Sequence, residues 1–276
     1  MISLDCRFES IVLRTQVEVK VYLPNPENFM NVVTDYRQRY TFEPFKTVFL
    51  LHGMMDSALQ WVENTNITRL AQDAGLALVI PSCGNNFYVN TIYGAAYSDF
   101  IEKELVGFVR AMFPLSDKRE DNYIWGISMG GYGALRQGFV DPQLFSKVIA
   151  MSPTSDIEFT TRFAYAMGVD PEYIIGSWKD LPGSELDLHT MADQNASRVQ
   201  EIPEMLLIIA DQDYMVRDNS QFQTKLSELG YKNEIRMYPG EHNWAFWSRH
   251  IEECIDWLIS EEQPDDDGTS QETRIL

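Results

Sequence analysis

The chain has 276 residues, of which 45% are hydrophobic and 23% are charged. This composition can form a sizeable core and excludes a disordered or collagen-like chain. The 22 basic and 41 acidic residues give a formal net charge of −19. Because such a surface repels phosphate backbones and anionic lipid headgroups, we expect no nucleic-acid partner and no membrane partner.

The cysteines and the N-terminal region indicate a compartment. Cys6, Cys83 and Cys254 are odd in number, widely spaced and outside any CxxC or Cys/His ligand pattern, so we interpret them as reduced thiols. The N-terminal residues contain no apolar targeting core, and no run approaches the roughly 18 apolar residues of a membrane span. A cytoplasmic protein is therefore predicted.

In chain order, residues 7–24 (RFESIVLRTQVEVKVYLP) predict two strands at an antiparallel edge, and residues 25–45 predict a loop. Short apolar runs follow, which are typical of parallel strands buried on both faces. They read TVFLLHG (47–53), LALVIPS (76–82), NYIWGIS (122–128), KVIAMSP (147–153) and EMLLIIAD (204–211), and a last strand is predicted over 234–238.

Segments of helical length separate these runs, and they cover residues 57–74, 98–113, 129–140, 219–229 and 244–260. Strands that alternate with helices predict an α/β fold with a mostly parallel, doubly wound sheet. Residues 153–202 have weak periodicity and frequent Pro, Gly and Asp, so we expect a cap-like insertion there. Residues 1–260 then form a single domain, and the acidic residues 261–276 are predicted to be a disordered tail.

The stretch WGISMGGYG (125–133) contains the pattern Gly126-Ile-Ser128-Met-Gly130 between a predicted strand and a predicted helix. This is the setting of a nucleophile elbow, a strained turn that exposes a serine hydroxyl above the sheet. A glycine-rich packing turn is the alternative. A serine nucleophile needs a histidine base and an acid that orients it.

Four histidines are available as the base, and their order along the chain separates them. With the order serine, acid, histidine, His52 is too early. His189 precedes the strand over 204–210, so no acid from the end of that strand could come before it, and His250 lies inside the last predicted helix. His242, in the loop PGEHNW, is therefore the predicted base.

Two carboxylates, Asp211 and Asp213, follow the strand over 204–210 at its carboxyl end, where α/β sheets collect functional groups. We prefer Asp213 because it lies further beyond the strand and can turn toward His242, whereas Asp211 can cap the turn. The oxyanion hole is predicted from the backbone N–H groups of Met129 and Met54, with Met55 as the alternative to Met54.

Aromatic residues near the predicted loops are candidates for the wall of an apolar acyl pocket, although core packing explains most aromatics equally well. These aromatic residues are Trp61, Phe87, Tyr88, Tyr93, Trp178, Trp244 and Phe246. The predicted substrate pocket consists of four of them and one methionine: Met55, Trp61, Tyr93, Trp178 and Trp244.

Taken together, LLHGMMDSALQW, WGISMGGYGAL, ADQDYM and PGEHNWAFW resemble the esterase D-like branch of the α/β-hydrolases, and especially its bacterial tributyrin esterases. TNITRL (65–70) and GSELDL (183–188) add to the resemblance, which extends to about residue 260. It implies an α/β-hydrolase fold of about eight strands with a small cap, no cofactor or metal, and the catalytic residues Ser128, Asp213 and His242. Relatives in this branch often associate, so a homo-oligomer is an expectation from the resemblance.

The resemblance also implies a serine carboxylesterase acting on short acyl esters, including acetyl or aryl esters. Relatives cleave feruloyl or acetyl groups from plant polysaccharides, hydrolyse S-formylglutathione or transfer mycolyl chains. The chain departs from the tributyrin esterases at Met55 and Asp56, which predicts a narrower or more polar pocket. The alternatives are an acyltransferase, a feruloyl or acetyl-polysaccharide esterase, and a binding protein that has lost catalysis.

Overall fold

Eight strands form one continuous sheet in the computed structural model, which describes residues 1–25, 40, 42–166, 168 and 170–260. The strands are β1 (Ile2–Ser10), β2 (Thr15–Leu23), β3 (Thr47–Leu51), β4 (Ala77–Ser82), β5 (Asn122–Ile127), β6 (Lys147–Met151), β7 (Glu204–Ala210) and β8 (Asn233–Tyr238). Their order across the sheet is β1-β2-β4-β3-β5-β6-β7-β8.

The sheet is antiparallel only at its N-terminal edge. β1 pairs with β2 and β2 with β4 in antiparallel register, and every later pair, from β4/β3 to β7/β8, is parallel. The parallel strands all end at one edge, so the loops that follow β3, β5, β6, β7 and β8 meet there. The predicted α/β sheet with an antiparallel edge is thus confirmed.

Both faces of the central strands are buried, which explains why these runs show no alternation of apolar and polar residues. In β3, Phe49 and Leu51 belong to one hydrophobic core, whereas Val48 and Leu50 belong to the other. All four side chains are at most 1% exposed. The sheet is therefore the middle layer of three, with helices on each side.

The α-helices are α1 (Ala58–Asn64), α2 (Ile67–Asp73), α3 (Tyr97–Asp99), α4 (Val106–Met112), α5 (Met129–Val140), α6 (Ile157–Ala166), α7 (Glu172–Ile175), α8 (Leu188–Asn195), α9 (Val216–Glu228), α10 (Trp244–Trp247) and α11 (Ile251–Ile259). A π-helical segment, Phe100–Leu105, joins α3 to α4, and a 3₁₀ turn, Ser248–His250, joins α10 to α11. Helices α4, α5, α8 and α9 cover one face of the sheet, and α1, α2 and α11 cover the other.

The single helix predicted over residues 57–74 is wrong, because the structure has a break within it. Residues 57–74 form two helices, because Thr65 has an extended backbone and ends α1. Its hydroxyl donates to the carbonyl of Trp61 and accepts from the amide of Ile67, which begins α2. A side chain that satisfies both helix ends allows the chain to turn between them.

Predictions for three segments, the insertion, the loop and the tail, stay untested in whole or in part. Residues 153–202 contain α6, α7 and α8 between β6 and β7, and whether they act as a cap stays a prediction. Most of the predicted loop 25–45 and the whole predicted tail 261–276 lie outside the described residues. Among the described helices, none is both long and apolar enough to cross a membrane. The cytoplasmic location stays a prediction.

Candidate active site

Ser128 lies on a strained turn between β5 and α5. Its backbone has φ +52° and ψ −118°, a region that residues with a side chain rarely adopt. The turn is held because the Ser128 amide donates to the carbonyl of Met151 on the neighbouring strand and its carbonyl accepts from Tyr132. The serine side chain is thereby placed at the N-terminus of α5, where backbone N–H groups favour negative charge.

The glycines beside Ser128 are required by close backbone contacts. A Cβ on Gly126 would lie 1.9 Å from the carbonyl oxygen of Gly130, and a Cβ on Gly130 would lie 2.3 Å from the carbonyl oxygen of Leu51. Both distances are shorter than any real carbon–oxygen contact, and both partners are backbone atoms. The turn can therefore form only with glycine at these two positions.

His242, in the loop after β8, reaches Ser128 from above the sheet. Its Nε2 lies 3.0 Å from Ser128 Oγ, and its Nδ1 lies 2.8 Å from Asp213 Oδ2. The ring packs against Tyr214, with 4.6 Å between ring centres, and against the edge of Trp247 at 5.0 Å. The serine, the imidazole and the carboxylate thus form one chain of hydrogen bonds.

Asp213 is completely buried at its side chain, in the turn after β7. Burial by itself raises the pKa of this carboxyl, but hydrogen bonds from His242, the Met215 amide and Ser152 outweigh burial and hold the pKa below its ordinary value. Asp213 is therefore ionised at neutral pH. Asp211, the alternative acid, is exposed and accepts a hydrogen bond from the Gly240 amide, so it ties the end of β7 to the end of β8.

Ser152 and Trp247 support Asp213 and were not found by sequence reasoning. Ser152 is fully buried at the end of β6, has φ +46°, and accepts a hydrogen bond from Trp247 Nε1 at 3.1 Å. The only sequence signal for Ser152 is its place directly after a buried strand, at the functional edge of the sheet.

Two backbone amides near Ser128 are candidate oxyanion donors. Met54 and Met129 both line the cavity beside Ser128, and neither amide has a hydrogen-bond acceptor within the described part of the chain. Met55 differs, because its amide donates to Asn85 Oδ1 at 2.7 Å. This bond favours Met54 over Met55 as the second donor.

The loop that carries Met54 is fixed by His52. The buried His52 ring lies with Nδ1 2.8 Å from the carbonyl of Gly53, and its Nε2 accepts from the amide of Cys83 at 3.0 Å. Because Nε2 accepts a hydrogen bond, the proton is assigned to Nδ1 and the ring is neutral. Burial also lowers the pKa of His52. His52 therefore holds the loop and does not face the serine.

A cavity of about 520 Å³ opens at Ser128 and His242. Its walls are largely apolar, and Thr154, Thr160, Asn243 and Asp56 supply the polar groups; the apolar lining residues include Met55, Phe163, Ala164, Tyr214, Met215, Trp244 and Trp247. This volume is within the range of small-molecule sites in proteins. Of the predicted pocket residues, Met55 and Trp244 line the cavity.

The other aromatic candidates lie elsewhere. Trp61 is completely buried between Trp125 and Trp244, because α1 turns this ring toward the sheet. Tyr93 is half exposed and stacks on Tyr173 outside the cavity. Three more candidates, Phe87, Tyr88 and Phe246, are core residues no more than 1% exposed. The side chain of Trp178 lies outside what the structure describes.

The remaining histidines have structural contacts of their own. His189 packs edge-on against Phe222, and His250 stacks on Tyr238 and bonds to Glu253. Within the described ranges, no group of three or more His, Cys, Asp or Glu side chains is arranged to hold a metal ion. A parallel sheet that presents a strained serine, a histidine and a buried carboxylate at its carboxyl edge has the architecture of the α/β-hydrolase class.

Comparison with known proteins gives the family. The Esterase family, described as "Putative esterase", matches residues 10–257. The chain belongs to this family. It is 27% identical to the acetyl esterase of Caldicellulosiruptor saccharolyticus, over 94% of this chain and 98% of that protein.

Solved structures agree with this family. The fluorophosphonate-binding serine hydrolase F of Staphylococcus aureus has a TM-score of 0.82, and the S-formylglutathione hydrolase of the same organism has a TM-score of 0.81. Each is 29% identical, and each match covers 94% of this chain and 99% of the other. A ferulic acid esterase at 19% identity, with a TM-score of 0.75, shows the shared fold. The chain is a carboxylic ester hydrolase of the serine esterase type with an α/β-hydrolase fold, and it resembles the esterase D-like branch as its sequence predicted.

Proposed function

We propose that the protein hydrolyses esters of short acyl groups through an acyl-enzyme on Ser128, with His242 as base and Asp213 as its orienting acid. The observation that carries this proposal is the chain of hydrogen bonds from Ser128 Oγ to His242 at 3.0 Å and on to the buried Asp213 at 2.8 Å, opening onto an apolar cavity of about 520 Å³. A serine hydroxyl is a weak nucleophile, so the base beside it is what makes attack feasible at neutral pH.

In the first step, His242 Nε2 takes the hydroxyl proton as Ser128 Oγ forms a bond to the ester carbonyl carbon. The carbonyl π electrons move to its oxygen, which the amides of Met54 and Met129 bind. Asp213 stabilises the imidazolium that forms and keeps its Nδ1 proton oriented. The intermediate then breaks the bond to the alcohol oxygen, and His242 returns the proton to that oxygen.

In the second step, water attacks the acyl-enzyme. His242 takes a proton from the water, the bond between Ser128 Oγ and the acyl carbon breaks, and the proton returns to Oγ as the acid leaves. An alcohol in place of water would give acyl transfer with the same residues. Hydrolysis is the proposed outcome, since the family is one of ester hydrolases.

The acyl preference is proposed from the cavity and from one relative. Trp244, Trp247 and Phe163 are bulky rings that line the cavity together with Ser128, which supports a limit on the length of the acyl chain. The related protein from Caldicellulosiruptor saccharolyticus is an acetyl esterase, which supports an acetyl or similarly short group here. Aromatic walls also suit a flat aryl acid, so a feruloyl ester is the second candidate.

Helix α6, within the proposed cap, contributes to this selection. Thr160, Phe163 and Ala164 of α6 line the cavity on the side that faces Tyr214, and the rings of Phe163 and Tyr214 stack with centres 4.6 Å apart. We therefore propose that the insertion between β6 and β7 caps the site of a single domain and sets the acyl-chain limit.

The test is hydrolysis of 4-nitrophenyl esters from acetate to decanoate, together with methyl ferulate and S-formylglutathione. For Ser128→Ala we expect kcat to fall by roughly 10⁴- to 10⁶-fold. The matched control is Ser155→Ala, which removes the hydroxyl of another buried serine near the same edge and should keep activity. Near-normal turnover by Ser128→Ala would refute the mechanism.

The ester series also decides the substrate class. A steep fall beyond about four to six acyl carbons is expected if the rings close the cavity. A preference for methyl ferulate would move the assignment to release of aryl side chains from polysaccharides. Product analysis in the presence of an added alcohol separates hydrolysis, which yields free acid, from transfer, which yields a new ester.

A further inference from the structure

Asp56 places a carboxylate inside the substrate cavity. It follows the loop of Met54 and Met55, and its Oδ2 accepts a hydrogen bond from Trp244 Nε1 at 3.2 Å. A carbon attached to Gly53 would lie 3.5 Å from Asp56 Oδ2 and 3.6 Å from Ser128 Cβ. Asp56 Oδ2 and Ser128 Cβ are therefore no more than about 7 Å apart. An ester that reacts at Ser128 therefore lies near this carboxylate.

No lining side chain neutralises Asp56. Among the described residues that line the cavity there is no Lys or Arg, and His242, the one base among them, has its Nδ1 paired with Asp213. Tyr214 adds no negative charge, because burial and the nearby Asp213 raise its pKa to about 12. Burial raises the pKa of the Asp56 carboxyl, and the hydrogen bond from Trp244 opposes that rise. The ionised Asp56 therefore meets no opposing Lys or Arg among the described residues that line the cavity.

The indole N–H of Trp244 is a neutral donor, so it satisfies one oxygen of Asp56 but cancels none of its charge. The same hydrogen bond fixes Trp244, whose ring also packs edge-on against Trp61 and Trp247. The carboxylate is therefore held in one place by a rigid aromatic wall. A fixed charge in a cavity of low polarity discriminates between ligands more strongly than a charge on a mobile, solvated side chain.

We propose that Asp56 makes this cavity selective for neutral and cationic esters and against anionic ones, a substrate class that rests on the esterase function proposed above. A second negative charge within about 7 Å of the Asp56 carboxylate is repelled appreciably, even at an effective dielectric constant of about 20. An ester with a carboxylate in either its acyl or its alcohol part is accordingly a poor ligand. S-Formylglutathione, which carries carboxylates, is expected to be a poor substrate for the same reason.

The test compares three acetates of similar shape: the anion 4-acetoxybenzoate, its neutral methyl ester, and the cation 4-(trimethylammonio)phenyl acetate. The central variant is Asp56→Asn, which removes the charge and keeps an oxygen that can accept from Trp244. Glu63→Gln on α1 is the control, because Glu63 is exposed and outside the cavity, and the variant loses the same single charge. Asp56→Ser is a second neutral variant in case the amide disturbs folding.

Binding is measured first, in a Ser128→Ala background in which the esters are not turned over, by the quenching of tryptophan fluorescence. Trp244 and Trp247 line the cavity and report occupancy. Then kcat/KM is measured for each ester with Ser128 intact. The kcat/KM of each charged ester is divided by that of the neutral ester, and this ratio for the variant is then divided by the ratio for the wild type. Differences between the leaving groups cancel in the result.

We expect Asp56→Asn to raise the affinity and the kcat/KM for the anionic ester about tenfold relative to the neutral ester. For the cationic ester, the same two quantities should fall about tenfold relative to the neutral ester. Glu63→Gln should leave both ratios unchanged. Unchanged binding ratios in both Asp56→Asn and Asp56→Ser, or equal changes in Glu63→Gln, would overturn the proposal. Charge-dependent binding without hydrolysis of any ester would instead refute the esterase mechanism and leave the selectivity of Asp56 standing.

Discussion

Ser152 offers a test of how Asp213 is held in place. Its hydroxyl lies between two partners: it accepts from Trp247 Nε1 at 3.1 Å, and its hydrogen bond to the Asp213 carboxylate helps to lower the pKa of that group. Ser152→Ala removes both interactions and keeps the backbone and Cβ. It leaves the buried indole N–H without an acceptor and Asp213 with one donor fewer.

The magnitude follows from these two losses. An unsatisfied buried donor costs about 1–3 kcal/mol, and a hydrogen bond to a charged group contributes about 1.5–3 kcal/mol. Allowing for local relaxation, we expect Ser152→Ala to lower the free energy of unfolding by about 3 kcal/mol. Because Asp213 would be less firmly aligned with His242, kcat should fall roughly 10- to 100-fold while KM stays within about twofold.

The assay combines urea denaturation with steady-state hydrolysis of 4-nitrophenyl acetate. Ser155→Ala is the matched control, because Ser155 is also buried but its Oγ has no hydrogen-bond partner in the described part of the structure. The control should unfold and turn over like the wild type. If Ser152→Ala loses no more stability and no more kcat than Ser155→Ala, the reasoning about Asp213 is wrong.

Three further predictions concern the elbow, the last helix and the acid. Gly130→Ala should lose nearly all activity and at least about 3 kcal/mol of stability in a urea melt, because its Cβ would lie 2.3 Å from the backbone oxygen of Leu51. Lys147→Met should lower the free energy of unfolding by about 2–3 kcal/mol with kcat unchanged, because the buried ammonium donates to carbonyls at the end of α11, including that of Trp257 at 2.8 Å. For Asp213 the pKa is lowered by folding, so its contribution to stability is complete above about pH 4 and is lost as pH falls through the folded pKa. Calorimetry should accordingly show the difference in Tm between wild type and Asp213→Asn to be largest near pH 7 and to shrink below about pH 4.

The sheet and the elbow could be predicted from sequence because their signals are local. Runs such as TVFLL (47–51) are apolar at every position when both faces are buried, and the structure places alternate side chains of β3 in the two cores. The pattern around Ser128 is also contained in five residues. Chain order and its place in a loop favoured His242 as the base, and its position further beyond the strand favoured Asp213 over Asp211. Both arguments hold because parallel strands deliver their following loops to the same edge.

The helix boundaries and the pocket walls could not be predicted in the same way. The break at Thr65 depends on a single side chain that bonds to two helix ends. Trp61 and Trp244 both occur near predicted loops, yet only Trp244 lines the cavity, because the direction in which α1 faces the sheet buries Trp61. That direction is set by tertiary packing, which periodicity over seven residues does not specify.

The side chains that support Asp213 and fix Asp56 could not be predicted from the sequence, because their hydrogen-bond partners are distant along the chain. Trp247 and Ser152 are separated by 95 residues, and Trp244 and Asp56 by 188. The short helix α10 therefore supplies one tryptophan to the support of the acid and another to the carboxylate in the cavity. A change in α10 should alter both the alignment of Asp213 and the charge selectivity at Asp56, whereas a change in the elbow acts on the nucleophile alone. Variation in such distant pairs is a physical route by which enzymes that share one serine elbow come to differ in the esters they accept.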